Sequence, residues 1–210
     1  MKVLLVNGSP HQHGCTYTAL AEIAHTLQEE GIDSEIFWIG NKPIGGCIGC
    51  HGCVKLGKCA FDDDPVNAFT AKAKAADGFI FGSPVHYAAA TGNMTAFMDR
   101  VFYSDGCGKG RAFYLKPAAA VASARRAGTT ATLDQLNKYF TIAQNAGDLL
   151  PVLEYGSRLY PGGCDERPGG SASDAGTGTE YGLLLKMQGR RCRRWRGTTQ
   201  NGASHSHQLY

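Results

Sequence analysis

Residues 2–7, KVLLVN, are a short apolar run that breaks at Gly8-Ser9-Pro10, the pattern of a buried parallel strand closed by a turn. From Thr16 the residues Leu20, Ile23, Ala24 and Leu27 recur at helical spacing until Gly31 stops them. SEIFWI, 34–39, predicts a second strand. A long cysteine-bearing loop follows, and DDDPVNAFTAKAKAADG then opens a helix on acidic residues and a proline and closes it on glycine. GFIFGSP, 78–84, predicts a third strand, and NMTAFMDRVFY, 93–103, a helix with Met94, Phe97, Met98 and Val101 on one face. KPAAAVASARR supplies a fourth strand. TTATLDQLNKYFTIAQ supplies a helix with Leu133, Leu136, Tyr139, Phe140 and Ala143 inward.

Strands alternating with helices of this length imply right-handed crossovers and a parallel sheet covered on both faces. The expected class is α/β, a doubly wound parallel sheet in three layers over residues 1–144. Ligands in such sheets bind outside the carboxyl ends of the strands. The residues just after each strand are therefore the ones to read for chemistry.

The chain has 210 residues, 43% hydrophobic and 19% charged, which suits one soluble globular domain. A formal charge of +3 gives no argument for nucleic acid. The apolar run at the amino terminus is too short for a signal peptide's core, and no window approaches the roughly 18 apolar residues of a membrane span. The reading is a cytoplasmic protein with neither a nucleic-acid nor a membrane partner. In that compartment clustered cysteines point to metal or redox chemistry more than to disulfides.

Three strand-end loops are suited to a ligand. GSPHQHGCTYT, 8–18, puts the hydroxyls of Ser9, Thr16 and Thr18 beside a helix start, where amides and the helix dipole favour an anion; neither the Walker lysine nor GxGxxG spacing is present. GSPVHYAAATGN, 82–93, adds His86 and Tyr87, an aromatic pair able to flank a flat heterocycle. SARRAGTTAT, 123–132, offers Ser123, Arg125, Arg126 and Gly128. A capped turn, two loop aromatics and two solvated arginines are the ordinary alternatives for each loop taken alone.

On the phrases KVLLVNGSPHQHGCTYTAL, CIGCHGCVKLGKCAFDDDPVN, ADGFIFGSPVHYAAATGNMTAFMDR and KPAAAVASARRAGTTATLDQLNKYF, residues 1–144 resemble the flavodoxin-fold NAD(P)H-dependent FMN reductases, and within them the iron-sulfur flavoproteins. The resemblance implies a flavodoxin-like fold and an FMN-binding oxidoreductase. It would place Ser9, His11, Cys15, Thr16 and Thr18 around the FMN phosphate, and Pro84, Val85, His86 and Tyr87 along the flavin ring. Ser123, Arg125 and Gly128 would lie near the ring's polar edge or the donor site. It also implies NAD(P)H or ferredoxin as electron donor and a homodimer or larger assembly. A flavin needs an anion cradle, a flat slot and a few donors, and no acid, base or nucleophile triad.

Cys47, Cys50, Cys53 and Cys59 resemble the compact motif with which iron-sulfur flavoproteins bind a [4Fe-4S] cluster. The fourth cysteine stands five residues after the third, and Ala60 replaces the proline of bacterial ferredoxin spacing. Zinc, or four reduced loop cysteines without a metal, are the other readings, and His51 reads as a loop residue. Cys107 reads as part of a flexible hairpin, DGCGKG. Neither it nor Cys15 has a base nearby that would make it a nucleophile.

After Gln144 the pattern breaks. Residues 145–210 are glycine-rich and aperiodic, then basic and polar, and read as an aberrant, disordered tail in which strand five and the last helix are lost. Codons can be chosen for 145–169 so that deleting one base after codon 144 yields MPVISSQYWNMVHGFTPEDVMKDLE, an apolar strand followed by a capped amphipathic helix. The tail thus reads as frameshifted, leaving an open sheet edge beside strand four. The rival functions are a non-catalytic redox or metal sensor and an inactive frameshifted product.

Overall fold

The computed structural model describes residues 1–143 and the backbone of 153–156. In chain order the elements are β1 (Lys2–Asn7), α1 (Cys15–Glu29), β2 (Asp33–Trp38), α2 (Gly52–Leu56), α3 (Pro65–Ala73) and β3 (Gly78–His86). Then come β4 (Ala89–Ala90), α4 (Gly92–Cys107), β5 (Ala118–Ala124), α5 (Thr129–Ile142) and β6 (Leu153–Gly156). The five parallel strands lie in the order β2-β1-β3-β5-β6, with β4 paired antiparallel to the end of β3.

Side chains alternate across β1, as the two-residue strand period requires. Val3 and Leu5 pack under α1 with Leu20, Ile23 and Leu27, while Leu4 and Val6 face the opposite core with Phe79, Phe81, Met94 and Phe97. That second core is aromatic: Phe69 lies 5.2 Å from Phe97, and Phe102 stacks on Phe113 at 4.4 Å. The helices α3, α4 and α5 cover it. β5 is nearly all alanine yet buried along its whole length, because small side chains let helices close on a strand covered from both sides.

Several expectations need correction. β3 runs on to His86 rather than ending at Pro84, since its last residues pair with β4 across a turn at Tyr87 and Ala88. The cysteine loop contains the short helix α2. Cys107 is not in a flexible hairpin but is the half-buried last residue of α4, because Gly106 continues the helix. The sheet edge expected to lie open beside β5 is paired over four residues, Val121 with Leu153 through Ala124 with Gly156. A parallel ladder uses backbone groups that every residue but proline carries, so the pairing needs no particular side chains. The expected last helix, and the rest of the tail at 145–210, lie outside the described residues.

Candidate functional site

The loop after β1 is held from several sides. Asn7 is fully buried; its side chain accepts from the Ser9 amide at 3.0 Å and donates to the Gln12 carbonyl at 3.1 Å. Trp38 donates its ring N–H to the Ser9 carbonyl at 2.8 Å, and Thr91 donates its hydroxyl to the Gly8 carbonyl at 3.1 Å. Ser9 Oγ accepts from the His11 amide at 3.1 Å, leaving the His11 ring exposed. Thr18 Oγ1 turns back to the Gly14 carbonyl at 3.3 Å. Cys15 opens α1, half-buried.

Two expected residues from distant loops meet. Thr16 and Ser123, both buried, share a hydroxyl–hydroxyl hydrogen bond of 2.8 Å between the start of α1 and the end of β5. Gly82 explains how α1 comes so near: a Cβ there would sit 2.9 Å from Thr16 Cγ2. Pro84 and Val85 are half-buried on β3, while His86 and Tyr87 are exposed, Tyr87 completely. Tyr87 and Ala88 both have positive φ, 54° and 65°, in a two-residue hairpin turn whose shape favours Asn-Gly. Gly128, φ +97°, packs on that hairpin so closely that a Cβ would lie 2.7 Å from Ala88 Cα and 2.8 Å from Val85 Cγ1. Arg125 and Arg126 are exposed beside it.

These loops fit an FMN. α1 and α5 begin on Gly14 and Gly128 with no side-chain cap, whereas α3 and α4 are capped by Asp64 and Thr91. Among the helices of nine residues or more, α1 and α5 are the two whose N-cap residue makes no side-chain hydrogen bond to the first turn, the arrangement an anion uses.

The cysteine loop lies elsewhere, along the outer face of α4. Ile44 is tied to Asn93 near the helix start (3.2 Å), and the cysteines come down beside Arg100, Tyr103 and Ser104. At 1.5 Å per residue, Arg100 is already about 12 Å along the helix from Gly92. Cys47, Cys50, Cys53 and Cys59 line one small hollow; Cys53 and Cys59 are buried, Cys47 and Cys50 exposed. Arg100 donates to Cys59 Sγ at 3.3 Å, to the Phe61 carbonyl at 3.0 Å and to the Asp64 carboxylate. Burial alone would lower the guanidinium's pKa, but the Cys59 and Asp64 bonds outweigh it and raise it. Asn67 clamps Cys59 from the other side, accepting from its amide and donating to its carbonyl, both at 3.0 Å.

As placed, no three His, Cys, Asp or Glu side chains among the described residues are arranged to hold a metal ion. The donor chemistry nevertheless fits a thiolate-bound metal centre: four thiols and no carboxylate line the hollow. Burial, then the nearby Cys107, Cys50 and Cys47 thiolates, pushes the Cys53 thiol up, a repulsion that a cationic centre relieves. His51 also lines the hollow, and its ring Nδ1 meets Tyr103 Oη at 3.3 Å. Arg100 and Thr91 escape sequence reading because each acts on a residue distant in the chain, and Asn7 and Asn67 because an asparagine bonded to nearby loop backbone follows no recognisable spacing. The one signal available is an arginine at 100 on an otherwise apolar helix face.

A parallel sheet of this order, with hydroxyl-lined loops and uncapped helix starts at its carboxyl edge, defines a flavodoxin-like fold. The family model for NADPH-dependent FMN reductase matches residues 1–153. An iron-sulfur flavoprotein of Methanocaldococcus jannaschii is 34% identical over 196 residues, covering 89% of this chain and 98% of that one. Another, of Clostridioides difficile, is 32% identical over 123 residues, and the match spans 58% of this chain and about half of that one, 53%. Among solved structures, RosB with a bound 8-demethyl-8-formylriboflavin-5'-phosphate superposes with a TM-score of 0.69 at 12% identity, over 99% of this chain and 91% of that one. An archaeal flavodoxin gives 0.59 at 14%, over 89% and 99%. The chain belongs to the NADPH-dependent FMN reductase family and is a flavin-dependent oxidoreductase. Among the described residues no helix is long and apolar enough to cross a membrane.

Proposed function

We propose that this chain is an NAD(P)H-dependent oxidoreductase that holds FMN at the strand-end loops and a [4Fe-4S] cluster on Cys47, Cys50, Cys53 and Cys59. The observation that carries the second half is the convergence of those four thiols on one hollow beside Arg100; the names of the relatives from M. jannaschii and C. difficile support it. Bound FMN supplies the exchange between two-electron and one-electron chemistry, and the cluster passes electrons singly. The chain's own residues do the positioning. The α1 amides and Ser9 receive the phosphate, Pro84 to Tyr87 line the ring, and Ser123 and Arg125 face its polar edge or the nicotinamide donor. Arg100 and Asn67 hold Cys59 in place. Ferredoxin is the alternative donor, a cytoplasmic homodimer or larger the expected assembly.

An anaerobic absorption spectrum with iron and acid-labile sulfide assays tests this. Flavin bands, a broad shoulder near ~400 nm and about four irons per chain are expected. Flavin without iron, or with zinc, would leave a plain FMN reductase; metal without flavin would favour a non-catalytic sensor. Residues 145–210 we assign to a shifted reading frame, a view that rests on the loss of periodicity after Gln144 and is opposed by the family match, which runs on to 153, and by the longer M. jannaschii alignment. An unambiguous in-frame DNA sequence across codon 144 would dispose of it.

A further inference from the structure

Arg100 leaves the middle of α4 with its side chain almost wholly inside the protein, 2% exposed, and all its guanidinium nitrogens are engaged. Nη1 donates to the Gly45 carbonyl at 3.3 Å and to the Asp64 carboxylate, and Nη2 donates to the Phe61 carbonyl at 3.0 Å. The Phe61 ring lies against the same group, its centre 5.5 Å from the guanidinium carbon. A guanidinium is planar and rigid, so fixing both terminal nitrogens also fixes the direction of the third. Nε–H is thereby aimed at Cys59 Sγ, 3.3 Å away, and cannot turn from it without breaking the other bonds.

That last contact is not needed to fasten the loop. Gly45, Phe61 and Asp64 are already held by the terminal nitrogens, and Asn67 clamps the Cys59 backbone through its amide and its carbonyl, both at 3.0 Å. The Nε–H bond acts instead on the ligand atom itself. Among the described residues Cys59 is the one thiol of the four whose sulfur receives a side-chain hydrogen bond. Asp64 pairs with the arginine's charge at close range, so what reaches the sulfur is a directed N–H rather than an unpaired cation.

We propose, resting on the reading that the four thiols hold a [4Fe-4S] cluster, that Arg100 tunes the cluster's reduction potential upward through the Cys59 sulfur. Negative charge on the ligand sulfurs grows when an electron is taken up, so a donor fixed on one of them stabilises the reduced state more than the oxidised one. Burial strengthens the bond, because little water competes for it. The same four thiols without this donor would accept electrons from the flavin less readily. Arg100 acts through Cys59 and is a positioning residue.

The test uses the full-length chain purified anaerobically with its iron and FMN, its arginines labelled with nitrogen-15 at Nε. Electron-nuclear double resonance on the dithionite-reduced sample should show an arginine nitrogen coupled to the cluster's signal. Redox titration followed by the same signal should give a lower midpoint in Arg100→Lys, which keeps the charge but not the directed fork. At the parent's midpoint the reduced-to-oxidised ratio should fall about tenfold, which for a one-electron couple is a midpoint about 59 mV lower. The FMN midpoint should stay where it is. If Arg100→Lys loses its iron, the coupling in the labelled parent decides. No arginine coupling in the parent, or an unchanged midpoint in iron-replete Arg100→Lys, would overturn the tuning. Iron and acid-labile sulfide assays on the parent keep the two readings apart: a chain without iron overturns both, whereas a full cluster without the coupling overturns the role of Arg100 alone.

Discussion

The strand-end loops and the cysteine loop are built by opposite means. Around the expected flavin position the sheet does the work: Asn7, Thr91, Trp38 and the Thr16–Ser123 pair tie three loops together through hydrogen bonds made where the strands already bring those loops side by side. The cysteine loop has no sheet beneath it. It exposes Ile48, Val54 and Leu56, and is anchored to α4 and α3 chiefly by two polar side chains, Arg100 and Asn67. One site is preorganised by strand ends that the fold already holds, the other by two polar side chains whose contacts a single substitution can remove.

The sharpest way to break that comparison is at Arg100. Arg100→Met strands the Asp64 carboxylate, which is largely buried, and frees the loop at Gly45, Cys59 and Phe61. A loss of about 3–5 kcal/mol in urea unfolding is expected, with iron lost preferentially to FMN. Next is Gly128→Ala, which places a Cβ against the Ala88 backbone at a positive φ; about 1–3 kcal/mol and a weaker FMN affinity are expected, with the cysteine loop untouched. Thr16→Val leaves the buried Ser123 hydroxyl without its partner and should cost about 1–2 kcal/mol, read from the same unfolding curves.

Tyr87→Asn with Ala88→Gly works in the other direction. Two residues held at positive φ are replaced by the pair that tolerates it, and a gain of about 1 kcal/mol in thermal unfolding is expected. The smallest effect concerns Glu35, whose pKa hydrogen bonds from Lys2 and then Lys72 hold below the ordinary 4.5. A carboxylate with a depressed folded pKa contributes stability fully above 4.5 and loses it as pH falls through the lower folded value. Because the site is mostly exposed, Glu35→Gln should cost at most about 1 kcal/mol at neutral pH, less in high salt, and nothing in strong acid.

The strands and main helices were readable because their periodicity is local. KVLLVN and the 16–30 helix fall where the apolar spacing put them, within a residue or two. The β3–β4 hairpin was not readable, since Tyr87-Ala88 carries no turn signal and its strain is tolerated by contact with Gly128. α2 was hidden because a five-residue helix bounded by left-handed His51 and Gly57 shows no period. The cysteines could be found as a cluster, but not the Arg100, Asp64 and Asn67 framework that sets two of them inside and two outside. Charge pairs and amide clamps across 8 to 41 residues of chain leave no spacing to recognise.

The central claim is that the two sites are separate, FMN on the sheet edge and metal on the α4 loop. The most direct measurement is the FMN and iron content of the Cys53→Ser variant, purified anaerobically beside the parent chain. Stoichiometric FMN with iron reduced to background is the predicted result. Loss of both together, or iron retained at the parent level, would contradict it.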